Sequence, residues 1–73
     1  MNWNYRMVEF RDSTDPTNTI IEICEVFYDE TGKPTGYTPA SIMAEGGATE
    51  MRDEIARISL ALDKPILYAA TDF

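Results

Sequence analysis

The run Thr19 to Tyr28, TIIEICEVFY, carries large apolar side chains on both parities: Ile21, Ile23 and Phe27 on one, Ile20, Cys24, Val26 and Tyr28 on the other. Successive side chains of an extended chain point to opposite faces, so a β-branched and aromatic run of this kind is a strand that needs cover on both sides. Trp3 to Arg11, WNYRMVEFR, poses the same demand, with Trp3, Tyr5 and Met7 on one face and Val8 and Phe10 on the other. Any fold for this chain must therefore say what covers each face of a two-sided sheet.

The segments between and after these strands set the connectivity. Asp12 to Asn18, DSTDPTN, consists of turn formers, with Pro16 closing off helix. Asp29 to Pro34, DETGKP, predicts a type I turn with Gly32 in the left-handed position, so the second strand pairs directly with a third at Gly36 to Met43. Pro39 lacks a ladder donor and marks that third strand as an edge or a bulge. AEGG then breaks the pattern, and Thr49 is the expected N-cap of a single helix of about 15 residues, with Glu50, Asp53 and Glu54 near its positive end and Pro65 ending it after Lys64. Pro65 to Ala70, PILYAA, reads either as a short fourth strand or as an apolar tail folding back on the sheet.

With 73 residues there is length for one small domain, residues 1–73. The expected class is α+β: an antiparallel meander of three to four strands in the order β-β-β-α, with the helix packed on one sheet face. On a helical projection Met51, Ile55, Ile58 and Leu62 form the core stripe, and Leu60 points about 180° away beside Asp53 and Arg57. One amphipathic helix covers one face only. The other is covered by a second copy of the chain, through the open face or paired edges, or by the C-terminal PILYAA.

Charge and residue types narrow the chemistry. Thirteen acidic residues against six basic ones give a net charge of −7, which disfavours direct contact with nucleic acid or an anionic membrane. No apolar run approaches the roughly 20 residues a membrane-spanning helix needs. The lone Cys24 forms no internal disulfide and MNWNYR lacks the pattern of a signal peptide, so a soluble protein of the reducing cytoplasm is expected. The chain contains no histidine, which removes the commonest general base and metal ligand. Cys24 reads as an inert core thiol, and the pairs Glu22/Glu25 and Glu50/Glu54 as solvated surface. The two glycines of AEGGATE lack the lysine and spacing of a phosphate loop. Neither turn has the ligand ladder of a calcium loop. No cofactor, metal or catalytic residue is expected.

The blocks WNYRMVEF, EVFYDETGKP and ALDKPIL resemble those of a group of short, uncharacterised bacterial proteins that share them in this order. More distantly, the strand–strand–strand–helix order, with Gly47 and Thr49 leading into the helix, resembles the N-terminal domain of HicB-family antitoxins. Arg52 stands where that family carries glutamate, and its first helix has no counterpart here. That resemblance implies a toxin-neutralising protein that binds and blocks a small RNA-cleaving partner.

The residues themselves point to a non-enzymatic, homodimeric protein-interaction module, a small regulator or inhibitor. Leu60, Arg57, Trp3 and Tyr5 are its expected contact residues, whether with a protein partner or with a second copy. The alternative from charge alone is an acidic mimic of nucleic acid, of phage type, that occupies the basic groove of a nucleic-acid-binding protein.

Overall fold

The computed structural model describes residues 2–12, 14–15 and 17–73; Ser13 and Pro16, part of the expected first loop, lie outside the described residues. Strand β1 (Asn2–Arg11) pairs along its whole length with β2 (Thr19–Tyr28), antiparallel, Trp3 opposite Phe27 and Phe10 opposite Ile20. The loop joining them is braced by its own side chains: Asp12 Oδ1 accepts from the Thr14 amide and hydroxyl, and Asp15 Oδ1 accepts from the same groups of Thr17. The β2–β3 turn repeats the device, with Asp29 Oδ1 accepting from Thr31 and from the Lys33 amide. These bonds hold all three aspartates below their ordinary carboxylate range. Gly32 takes the expected left-handed conformation, φ 85°.

Strand β3 (Pro34–Pro39) begins earlier than expected and stops sooner, with a register shift between Phe27 and Tyr28. Pro39 supplies no N–H, and after one last bond from Ala40 N–H to the Ile23 carbonyl, 3.1 Å, the chain leaves the sheet. Ser41 to Met43, expected in the strand, lie outside it.

Helix α1 (Ala48–Ser59) follows and runs straight into a 3-10 turn (Leu60–Asp63). Its N-cap is Gly47, φ 93°, with no side-chain cap, and the expected cap Thr49 lies one residue inside the helix. The left-handed backbone at Gly47, open to glycine without strain, sets the start of the helix two residues earlier.

A two-residue strand, β4 (Leu67–Tyr68), completes the sheet in the order β3-β2-β1-β4. It runs parallel to β1, so the sheet is mixed and not the purely antiparallel meander the sequence suggests. The physical reason is directional: β1 and β3 run the same way, the helix runs back, and the next strand must then run with β1.

The C-terminal segment answers half of the covering problem. Val8, Cys24 and Val26 are fully buried on one face, under Leu67, Ala69 and Phe73, with Phe10 and Tyr28 beside them. Tyr37 packs edge-on against Phe10 and Phe73, ring centroids 5.4 and 4.8 Å apart. Arg6 ties this layer down, Nη2 donating to the Pro65 carbonyl at 2.7 Å and Nη1 to the Tyr28 hydroxyl, which donates in turn to Asn4. The tail therefore does on this face what a second copy was one candidate to do.

On the other face the expectation of a packed helix is not met. Helix α1 has no buried residue, and its main contact with the sheet is along β1. Met51, Glu54 and Ile58 are half-buried and Ala61 is buried, whereas Ile55 and Leu62, assigned to the core stripe, are 46% and 62% exposed. The helix is thus rolled by roughly 60° from the expected orientation. Among the described residues, no helix is long and apolar enough to cross a membrane.

Urea unfolding should reflect this one-sided core. Val8→Ala is expected to cost about 2 kcal/mol through lost burial and an uncollapsed cavity, and Leu62→Ala less than about 0.5 kcal/mol. Comparable losses from both would mean that α1 packs tightly on the sheet.

Candidate functional site

Two helix-side and two strand-side residues picked out by sequence meet at one place. Trp3 and Tyr5 share a face of β1, where their rings pack edge to face with centroids 5.2 Å apart and planes 87° from parallel. Arg57 near the end of α1 and Leu60 at the start of the 3-10 turn close over them. With Asn4 and Lys64 these residues line a groove of about 280 Å³.

The geometry rests on a short polar chain. The Tyr5 hydroxyl donates to the Glu54 carboxylate, and Arg57 Nη2 donates to the same carboxylate from one helical turn further on. Glu54, read from sequence as solvated, has only 13% of its side chain exposed. It is the residue that sequence reasoning missed. The signal for it was present, since Glu54 and Arg57 at i, i+3 share a helix face. Nothing in the sequence indicated that a tyrosine on β1 would reach the same carboxylate.

The same contacts explain the helix roll. A carboxylate hydrogen-bonded to a buried tyrosine must face the sheet, and Ala61 lets the chain come close at the C-terminal end. Once Glu54 and Ala61 point inward, Leu60 swings onto the flank beside Trp3. It remains 56% exposed, as expected, but it forms a wall of the groove and does not point squarely away from the sheet.

The groove is lined by residues that differ in charge from the chain as a whole. Its lining holds two cations, Arg57 and Lys64, and no acid, in a protein of net charge −7. Arg57–Glu54 is the ion pair among the described residues, which leaves the Lys64 ammonium without one. The Tyr5 hydrogen bond to Glu54, helped by burial, pushes the Tyr5 hydroxyl up to about 12. The same bond, with Arg57, holds the Glu54 carboxyl below its ordinary range, and Glu54 raises Arg57 further.

Elsewhere, Cys24 is fully buried and its thiol is pushed up by burial and by Glu22. No group of three or more His, Cys, Asp and Glu side chains among the described residues could hold a metal ion. Compared with protein-family models, with curated proteins and with solved structures, the chain matches none.

The Tyr5–Glu54 bond has a pH signature. Folding keeps Tyr5 protonated, so its stabilising effect is whole below the ordinary value of 10.0 and is lost as pH rises toward about 12. Glu54 has the opposite sign, its contribution being whole above its ordinary 4.5 and lost as pH falls below that. An ultraviolet tyrosinate titration of the folded protein should show a late-ionising component that is absent in Tyr5→Phe. A native titration curve with no late component that Tyr5→Phe removes would rule the bond out.

Proposed function

We propose that this chain is a non-enzymatic protein-binding module that acts by occupying a partner's surface through the groove between β1 and the end of α1, and that it does so as a homodimer. One observation carries the groove reading: Trp3, Tyr5, Arg57 and Leu60 line a single concave site together with Lys64. Tryptophan, tyrosine and arginine are the residue types that supply most of the energy at protein interfaces. Here they stand on a strand and a helix end, with Tyr5 and Arg57 fixed by Glu54. That arrangement limits the side-chain entropy lost on binding.

The lining also describes the partner. Trp3 and Leu60 offer apolar contact, while the Lys64 ammonium and the outward edge of Arg57 offer donors to an anion. The complementary feature is an apolar side chain followed closely by a carboxylate. The net charge opposes such a partner at long range, but at physiological salt that repulsion is screened beyond about 8 Å, so groove contacts decide affinity. The homodimer half of the proposal draws support from the apolar side chains left exposed on both faces of the sheet and along α1.

The test compares tagged native protein with Leu60→Asp in recovery of partners from host lysate, followed by titration of the recovered partner. Leu60→Asp places an acid against Trp3 at an exposed position that the fold does not need. It is expected to weaken binding by about 30-fold or more while leaving the circular dichroism spectrum unchanged. Equal affinity of the two proteins for every recovered partner would overturn the groove reading.

A further inference from the structure

Two of the sheet's outer edges are closed to strand addition. β3 is bounded by Pro34 and Pro39, which donate no ladder hydrogen bonds. β4 is two residues long, and its outward Tyr68 N–H donates to the Asp72 carboxylate at 2.6 Å. The N-terminal half of β2 is different. Its pairing with β3 ends at Cys24, and the last bond on that side is Ala40 N–H to the Ile23 carbonyl.

Ile23 therefore directs its peptide groups toward the β3 side, and by the period of two so do Ile21 and Thr19. Among the described residues, neither Ile21 nor Thr19 has a backbone partner on that side. Apart from Glu22, the edge also carries apolar side chains on both faces. Ile20, Ile21 and the nearby Ile42 and Met43 are each at least half exposed. No proline, lysine or arginine lies between Thr19 and Ile23 to guard it.

We infer that this open edge is the self-association surface: two copies pair their β2 strands antiparallel about a two-fold axis at Ile20. The register follows from which peptide groups are free. Centring on Ile20 sets Thr19 opposite Ile21 of the other copy, and symmetry repeats the pair, so the free N–H and C=O groups of both residues are satisfied at once. Centring on Ile21 instead would bring Thr19 opposite Ile23, whose edge Ala40 already occupies. The axis at Ile20 also stacks the two Ile20 side chains at a non-hydrogen-bonded pair, where side chains lie closest. Glu22 then faces Asn18 of the other copy, and no like charges meet across the pair.

Surface area argues for a second copy. The chain exposes 5293 Å². A compact monomer of 8.3 kDa would expose roughly 4,600 Å². The surplus of roughly 700 Å² is close to the roughly 800 Å² that each partner gives to a standard interface. Strand pairing over so few residues covers less than this, so Ile42 and Met43, just past β3, belong to the same contact. The groove lies at the other end of the hairpin, since Trp3 pairs with Phe27 and not with the Thr19 end. A dimer of this kind therefore presents two free grooves.

The inference rests on the homodimer half of the proposed function, and the groove reading stands or falls separately. Sedimentation equilibrium over a concentration series is run on the native chain, Ile21→Pro, Ile20→Glu and Leu60→Asp. Ile21→Pro removes an outward N–H that the β1–β2 ladder does not use, and Ile20→Glu sets two acids across the axis at a site that is 63% exposed, where little packing is lost. Both are expected to raise the dimer dissociation constant at least about tenfold, and Leu60→Asp to leave it unchanged. If Ile21→Pro fails to fold, Ile20→Glu alone decides. A native monomer at all concentrations, or a dimer that Ile20→Glu leaves intact, would overturn the proposal. Dissociation by Leu60→Asp alone would move the interface to the groove.

Discussion

The structure is organised by one demand, that a hairpin of two ten-residue strands with apolar side chains on both faces must lose water from both. Strands β1 and β2 meet it asymmetrically. On one face the C-terminal segment lays Leu67, Ala69 and Phe73 over Val8, Cys24 and Val26 and forms a closed if thin core. On the other, a single helix leans on β1 and leaves much of its own apolar surface in solvent. The molecule is correspondingly flat, 41 × 30 × 20 Å. Its radius of gyration is 13.7 Å, where a compact chain of this length would have roughly 11 Å.

Incomplete cover on the second face is tied to how the helix is held. Tyr5 and Glu54 make a directional contact, whereas apolar packing fixes only that a stripe be inward. The directional contact wins the roll angle because a buried hydroxyl without a partner is costly. The price is that Ile55 and Leu62 face water. In exchange, Arg57 and Leu60 are set against Trp3, and a chain that is acidic overall acquires a small concave site lined by cations and aromatic rings. Exposed apolar surface and an organised groove thus come from one cause.

The edges of the sheet show the same division between guarded and open. Prolines bound β3, and Asp72 occupies the outward amide of β4. The strand between the two central ladders and the loop at Asn18 has no such device. Where a small protein blunts two edges and leaves one bare, the bare edge is the place at which backbone hydrogen bonding is still available.

By itself the sequence determined the local elements. The parity of β1 and β2, the left-handed glycine of the hairpin turn and the helix ending before Pro65 are set by side-chain alternation and backbone sterics, which act over a few residues. It also singled out Leu60, because a large apolar residue on the polar face of a helix stands out without any fold. Direction and roll were decided only by tertiary structure. The parallel run of β4, the tail over Val8, the early end of β3 and the inward turn of Glu54 each depend on groups far apart in the chain coming within a few ångströms. Hydrogen bonds such as Tyr5 to Glu54 or Arg6 to the Pro65 carbonyl leave no periodic trace in a sequence, since each joins one donor to one acceptor across about fifty or more positions.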